Sequence, residues 1–409
     1  MIPLELDIVA DLVPGQLDRA GWTDEITGVQ VDSRRIDEGD LFLALGDGAD
    51  YRKHAFARGA AATLVPADPF AALAAIAGAV RDRSDARFVA ITGSMGKTST
   101  KDILAAICAS QARTVAAERS FNNEIGVPLT VCRVEPDTDI CILELSMRGF
   151  GQIAELCAFT RPHIGVITNI APVHLEKVGN LEGVVRAKRE LIDGLPAGGT
   201  AVVPEGFDVG RTDIDVVSIG EDLRLESFEP PLLRTSIGTV EVNFSAQHLA
   251  GNAVIAFATA QALGLEIPER IDVTFAEWRN QELPLPGGGL LINDAWNANP
   301  ISMRAALEHL RRLADGRRRI AVLGEMAELG DYSDEGHREV AQAVDEIGVD
   351  VLISVGEHAR VYGGRSVADA DEAIALLREE LRPGDCVLVK GARVFRLERV
   401  AEALAGVTV

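Results

Sequence analysis

The chain has 409 residues, with 47% hydrophobic and 25% charged, a composition ordinary for a globular protein and long enough for two or three domains. The net charge of −22 argues against nonspecific binding to nucleic acid or to an anionic membrane surface, although local basic groups can still hold anionic substrates. No apolar run reaches the length of a membrane span, and the N-terminus lacks the charged, apolar and small-residue order of a signal peptide, so a cytoplasmic location is expected. The five cysteines form no C-x-x-C pair and sit mostly in apolar runs, which predicts buried thiols.

In chain order, the first notable stretch is VDSRR (31–35). Ser33 and Arg34 could grip a phosphate, but the residues by themselves read more simply as a β-turn. A charged stretch at 81–86 lacks apolar periodicity and reads as a linker. The short apolar run FVAI (88–91) then predicts a buried strand. It leads into GSMGKTST (93–100), and Ile103, Leu104, Ile107 and Cys108 follow on one helical face.

This strand–loop–helix junction reads as a phosphate loop. Gly93 and Gly96 allow the turn, the amides of Gly93, Ser94, Met95, Gly96 and Ser99 can approach an anion, and the helix start adds partial positive charge. Lys97 would reach terminal phosphates and Thr98 would offer its hydroxyl to Mg²⁺. The spacing is G-x-x-G-K-T, because Ile91 stands where the common motif has its first glycine.

Beyond the loop, NNEIGVP (122–128) is either a polar loop closing over a ligand or a structural turn. ICILEL (140–145) and IGVITNI (164–170) read as buried strands with helices at 151–159 and 180–195. Glu144 at a strand end beside a phosphate loop is placed to hold Mg²⁺, or is an ordinary charged strand terminus. His174 alone reads as a surface or core histidine, and Lys188 as a solvated base beside Arg186 and Arg189. Short β segments fill 200–244, and HLAGNAVIAFATAQALG (248–264) reads as a helix ending on Gly264. PLPGGG (284–289) reads as loop near a second boundary. LLIND, RIAVLG, VLISVG and CVLVKG then predict a second open α/β unit. DAWNANP (294–300), followed by a helix from Ser302, places acid, aromatic and amides at another strand end. Two such constellations predict a cleft between domains.

Together these segments resemble the Mur ligase family along nearly the whole chain. VDSRRIDEGDLFLAL, TGSMGKTSTK, FNNEIGVPLT, ELSMRGFGQIAEL, TNIAPVHLEKVGNLEGVVRAKRELI, INDAWNANPISMRAAL, VLGEMAELGDYSDEGHREV and VLVKGAR carry the likeness. NNEIGVPLT and NANPISMRAAL point to the branch that adds D-alanyl-D-alanine to UDP-N-acetylmuramoyl-tripeptide in peptidoglycan precursor synthesis.

The resemblance implies an α/β protein of three domains. These are a small N-terminal UDP-substrate domain (1–84), a central phosphate-loop domain with a parallel sheet (85–276), and a Rossmann-like C-terminal domain (277–409). It implies an ATP- and Mg²⁺-dependent ligase working through an acyl phosphate. Lys97 would hold the β- and γ-phosphates, and Thr98, Glu144, His174 and a carbamylated Lys188 would hold Mg²⁺. His248 and Asn252 would lie near adenine, Arg279 and Asp294 by phosphate and ribose, and Ser33 and Arg34 by the UDP end. Asn122 and Asn123 would line the reaction centre. The implied partners are the UDP-sugar peptide and the dipeptide, and the implied state is a monomer.

Four departures stand out: GDGADY shortens a loop and places Ala49 where the family has histidine, Trp296 replaces tyrosine, Asn293 replaces an acid, and the 200–244 region is short. They leave open a related ligase joining a different acid and amine. A nucleotide-binding regulator without chemistry is the other class, opposed by the intact set Lys97, Glu144, His174 and Lys188.

Overall fold

A computed structural model describes residues 1–172 and 175–406. Its central sheet has six parallel strands in the order Asp215–Ile219, Thr200–Pro204, Ile164–Ile167, Arg87–Thr92, Ile140–Glu144 and Thr114–Ala116. The strands buried on both faces are near-continuous apolar runs, as a parallel sheet covered on both sides requires. The strand Arg87–Thr92 lies where the connections diverge: its own helix leads to one edge, while its neighbour Ile164–Ile167 leads to the other. The crevice at such a divergence, outside the carboxyl ends of the strands, is where open α/β sheets bind ligands.

One face of this sheet carries the helix Lys97–Ala109 and, packed on it, Gln247–Ala262. The latter is buried almost all round because its residues are mostly Ala, Val, Ile and Phe. A small sheet of Leu225–Glu229, Leu232–Thr235, Gly238–Val242 and Arg270–Ile271 closes over it with Phe228, Leu233 and Val240.

The C-terminal sheet orders Gln281–Leu285, Gly289–Asp294, Cys386–Lys390, Arg319–Gly324, Val351–Val355 and Arg365–Val367, all parallel except the first. Alternation assigns its faces. Ala321 and Leu323 meet the helices Pro300–Ala314 and Ser333–Ile347, whereas Ile320 and Val322 meet Ala370–Glu380 and Glu398–Ala405. PLPGGG is only partly loop. Pro284 and Leu285 belong to the antiparallel edge strand, a position where proline's missing N–H is tolerated. The helix expected at Ser302 begins at Pro300, because Asn299 and Ser302 form a reciprocal cap ahead of it.

The N-terminal unit is a mixed sheet of Gly15–Arg19, Ala62–Pro66, Asp40–Leu43 and Gly28–Gln30. The charged stretch at 81–86 is not a free linker. The helix Pro69–Asp82 runs into it and shares one apolar cluster with the helices Gly126–Val131 and Gln152–Thr160. Arg81 donates to the Thr160 carbonyl (2.9 Å) and lies over the Phe88 ring. The charges there satisfy a helix C-terminus, which a pattern of charges alone does not reveal. The five cysteines are buried free thiols. Burial pushes those of Cys108, Cys132, Cys141 and Cys157 up to about 12.

Candidate active site

The loop after Arg87–Thr92 is held in shape by the segment after its neighbour strand. Ser94 and Ala171 exchange hydrogen bonds at 2.9 and 3.0 Å, the Met95 amide donates to Asn169 Oδ1 (2.9 Å), and Thr168 Oγ1 donates to the Met95 carbonyl. Gly93 (φ 143°) and Gly96 (φ 76°) have no substitute. A Cβ would come 2.0 Å from Thr168 Oγ1 at the first and 2.4 Å from Asn252 Oδ1 at the second. Lys97 opens the helix and folds its Nζ back to the Gly93 carbonyl at 2.8 Å. Desolvation lowers its pKa, while Glu144 and Glu328 favour its charge and Arg279 opposes it.

Glu144 ends the adjacent strand and is 1% exposed. One carboxylate oxygen accepts from Thr98 Oγ1 and the other from Asn122 Nδ2, both at 2.8 Å. Ser146 Oγ in turn donates to Asn122 Oδ1 at 2.9 Å. A carboxylate and a hydroxyl together are hard oxygen donors suited to Mg²⁺, which is commonly held by one or two protein groups with phosphates and water supplying the rest. Among the described residues no cluster of three or more His, Cys, Asp or Glu side chains forms a metal cage. His174 lies outside the described residues.

Lys188 corrects the pattern reading: it is not solvated but 0% exposed, on the helix Leu181–Asp193. Its Nζ donates to Thr92 Oγ1 at 3.3 Å, and no carboxylate pairs with it among the described residues. Burial, with Lys97 adding repulsion, drives its pKa well below the usual lysine value, so the amine is held toward its neutral, nucleophilic form.

The C-terminal domain forms the opposite wall. Asp294 and Lys390 end neighbouring strands in register, and Lys390 Nζ meets Asp294 Oδ2 at 2.5 Å and the Asn297 carbonyl at 3.0 Å. Trp278 and Trp296 stack at 5.9 Å, and Arg393 lies over Trp278 at 4.5 Å. Arg279 sits over Trp296 and donates to Ser120 Oγ across the cleft at 2.9 Å. His248 also lines the cleft. The surrounding walls lower its pKa by desolvation, with His309, Lys390 and Arg312 adding repulsion, against the pull of Asp294.

The cleft encloses about 540 Å³, ample for a small ligand. It brings together residues 94–99, Asn122, Glu144, His248, Asn252, Arg279 and Asp294. Of the described candidates, it does not include Gly93, Asn123, Lys188, Ser33 or Arg34. Asn123 caps the helix Gly126–Val131 by accepting from the Gly126 amide at 3.0 Å. Ser33 is buried against His54 Nδ1 at 3.0 Å, and Arg34 is exposed and paired with Asp32, both on the N-terminal unit. Asp32 also caps the Arg34 amide, so VDSRR is locally a capped turn. Cleft residues absent from the sequence expectations include Ser120, Arg148, Lys390 and Arg393. Lys390 was within reach of the strand-end rule that singled out Glu144. A wider depression of about 570 Å³ near Ser110, Arg113 and Asp139 lies at the far end of the phosphate-loop helix, away from this chemistry.

With that geometry, residues 91–260 match the model of the Mur ligase middle domain and 278–393 that of the Mur ligase glutamate ligase domain. The UDP-N-acetylmuramoyl-tripeptide–D-alanyl-D-alanine ligase of Mycobacterium tuberculosis (strain ATCC 25618 / H37Rv) is 34% identical over 99% of this chain and 98% of its own. The chain belongs to the Mur ligase family. The ligase of the same name from Escherichia coli (strain K12) is 31% identical over 99% of both chains. A crystal structure of MurF from Acinetobacter baumannii superposes with a TM-score of 0.84 at 28% identity, again covering 99% of each chain. The three-domain α/β architecture is therefore that of this Mur ligase. Among its described residues, no helix is long and apolar enough to cross a membrane.

Proposed function

We propose that this Mur ligase joins D-alanyl-D-alanine to UDP-N-acetylmuramoyl-tripeptide at the expense of ATP, in peptidoglycan precursor synthesis in the cytoplasm, acting as a monomer. The observation that carries the reading is the cleft itself. A phosphate loop, the Glu144–Thr98 pair and the Arg279–Asp294–Lys390 wall converge there, in a chain aligned end to end with relatives bearing that name. The boundaries at 84/85 and 276/277 divide the substrate, ATP and C-terminal domains. The second falls just before the residues that reach across the cleft.

The chemistry needs alignment and charge control more than a strong base. The tripeptide's terminal carboxylate attacks the γ-phosphorus of ATP and ADP leaves. The dipeptide's amine, having lost a proton, attacks the resulting acyl phosphate, and phosphate leaves from the tetrahedral intermediate. Loop amides 94–99 and Lys97 would bind the phosphates, and Arg279 would approach them from the other domain. Asp294 would hold the ribose, with His248 and Asn252 beside the adenine. Mg²⁺, when bound, supplies charge neutralisation on the β- and γ-phosphates. Thr98 and Glu144 would hold it, with Asn122 orienting the Glu144 carboxylate, and His174 and Lys188 completing the set. The neutral Lys188 amine is suited to take up CO₂ as a carbamate, which would reverse its charge and make it a ligand. Ser33 and Arg34 would meet the UDP end from the N-terminal domain.

Incubation with ATP, Mg²⁺, UDP-N-acetylmuramoyl-tripeptide and D-alanyl-D-alanine tests the reading. The pentapeptide-bearing nucleotide is expected by mass, and an unchanged tripeptide nucleotide would refute it.

A further inference from the structure

The C-terminal sheet delivers a further loop to the cleft. The strand Arg319–Gly324 ends in EMAELG (325–330), whose Ala327 and Glu328 line the cleft. Glu328 is close enough to Lys97 to favour the lysine's charged form. Two residues on, Gly330 abuts the middle domain so closely that a Cβ there would lie 3.2 Å from the Glu176 Cα. This loop therefore spans from the C-terminal sheet to the phosphate loop.

Its anchor is a histidine. The Met326 amide donates to Nε2 of His337 at 3.1 Å, and His337 is 1% exposed. The other ring nitrogen, Nδ1, lies 2.7 Å from the Ser333 carbonyl oxygen. Both partners are backbone groups with fixed roles: an amide N–H only donates and a carbonyl only accepts. The ring must then carry its proton on Nδ1 and its lone pair on Nε2. Tyr362 stacks on the ring at 5.6 Å and 13°, and His358 tilts against it. The titratable groups facing the ring are His358, Glu325, Asp334 and Tyr362. Burial lowers its pKa most, the Ser333 carbonyl opposes that, His358 adds to it, and Glu325 and Asp334 pull back.

We propose that His337 is a positioning residue for the reaction. As a neutral imidazole it pins the 325–330 loop so that Glu328 faces the phosphate-loop lysine, and protonation of Nε2 releases that loop. An imidazolium would set an N–H against the Met326 N–H, leaving two buried donors opposed. The proposal rests on reading the cleft as the ATP site.

The test compares His337→Gln with the unaltered enzyme from about pH 5 to 8. The glutamine oxygen can accept from the Met326 amide and does not titrate. Activity near neutrality within about threefold is expected, with the acid limb of kcat moved down by at least about half a pH unit. His337→Leu, which offers no acceptor, is expected to lose about 10- to 100-fold at every pH while still unfolding cooperatively. An acid limb in His337→Gln identical to that of the unaltered enzyme overturns the proposal, as does a folded but inactive His337→Gln. Nitrogen-15 spectra of the unaltered protein give a readout independent of activity. A neutral ring protonated on Nδ1 near pH 7 is expected, and an Nε2–H tautomer or a charged ring overturns the proposal. If peptide ligation itself fails, ATP affinity over the same pH range carries the same comparison, which separates failure of the substrate assignment from failure of this one.

Discussion

Arg279 Nη2 donates to Ser120 Oγ at 2.9 Å, joining the first residues of the C-terminal domain to the loop ahead of Asn122. The guanidinium also lies over Trp296, and its pKa is lowered by burial against the pull of Glu144, Asp294 and Asp102. It is a cation delivered by one domain to the phosphate side of the other. Arg279→Lys keeps the charge but loses the planar fork and the ring contact. ATP binding is expected to weaken about 10- to 100-fold, in line with the loss of a charged hydrogen bond. A titration with ATP and Mg²⁺ checks this, and unchanged affinity would show that Arg279 does not contact the nucleotide.

Lys188 is buried with no carboxylate paired to it among the described residues, Glu190 acting only from a distance. A permanently charged ammonium there would be costly, which favours the neutral amine and suits the residue to carbamate formation. Lys188→Ala is expected to lose on the order of 100-fold or more in kcat. Partial recovery with a short-chain carboxylic acid, which restores the anion, is the signature of the carbamate. Loss without recovery would leave only a packing role, and full activity would remove any role.

Glu144, Ser146, Met147 and Arg148, at the exit of the strand Ile140–Glu144, line the cleft. Lys390 and Arg393 are ion-paired, but Arg148 has no carboxylate partner among the described residues. It lies on the middle-domain wall, where the peptidyl nucleotide would approach. Arg148→Gln is expected to raise KM for that substrate about tenfold while KM for ATP holds. A rise in KM for ATP instead would assign Arg148 to the phosphates.

The half-buried His163 and the buried His337 make stability fall in acid. Burial lowers the pKa of His163, with Arg81 and Arg87 adding repulsion, and burial lowers that of His337. In the unfolded chain both protonate near pH 6.5. Below that pH the unfolded state binds more protons than the folded one, so stability rises with pH there. The stabilisation is complete above about pH 6.5 and is lost as pH falls through the lowered folded values. The unfolding temperature is expected to drop by a few degrees between about pH 7 and 5, and less in His163→Gln combined with His337→Gln. An equal drop in that variant would assign the acid sensitivity to other groups.

The phosphate loop, the parallel strands and the interdomain cleft were legible because each rests on local pattern: an apolar run, a glycine turn, a helical face. Glu144 was legible for the same reason, since a strand end is a place the pattern marks. Lys188 was not. Its neighbours Arg186 and Arg189 are partly or fully exposed, and only packing against Thr92 turns the middle one of these bases inward. Arg81 and Asp82 looked like linker because nothing local shows that Arg81 donates to the carbonyls closing the helix Gln152–Thr160, or that Asp82 accepts from Arg161. Asn122 and Asn123 are adjacent and chemically identical, yet one reaches Glu144 and the other caps a helix. His337 lies far from the loop it holds in pattern terms, and its role exists only in the hydrogen bond to Met326.

The most direct test of the central claim is phosphate release from ATP and Mg²⁺ with UDP-N-acetylmuramoyl-tripeptide, measured with and without D-alanyl-D-alanine and followed by mass detection of the product. Sustained release that needs both substrates, with the pentapeptide nucleotide formed in equal amount, is the predicted result. ATP binding without turnover on this pair would contradict the claim, and would point to the shortened GDGADY loop as the mark of a different acid and amine.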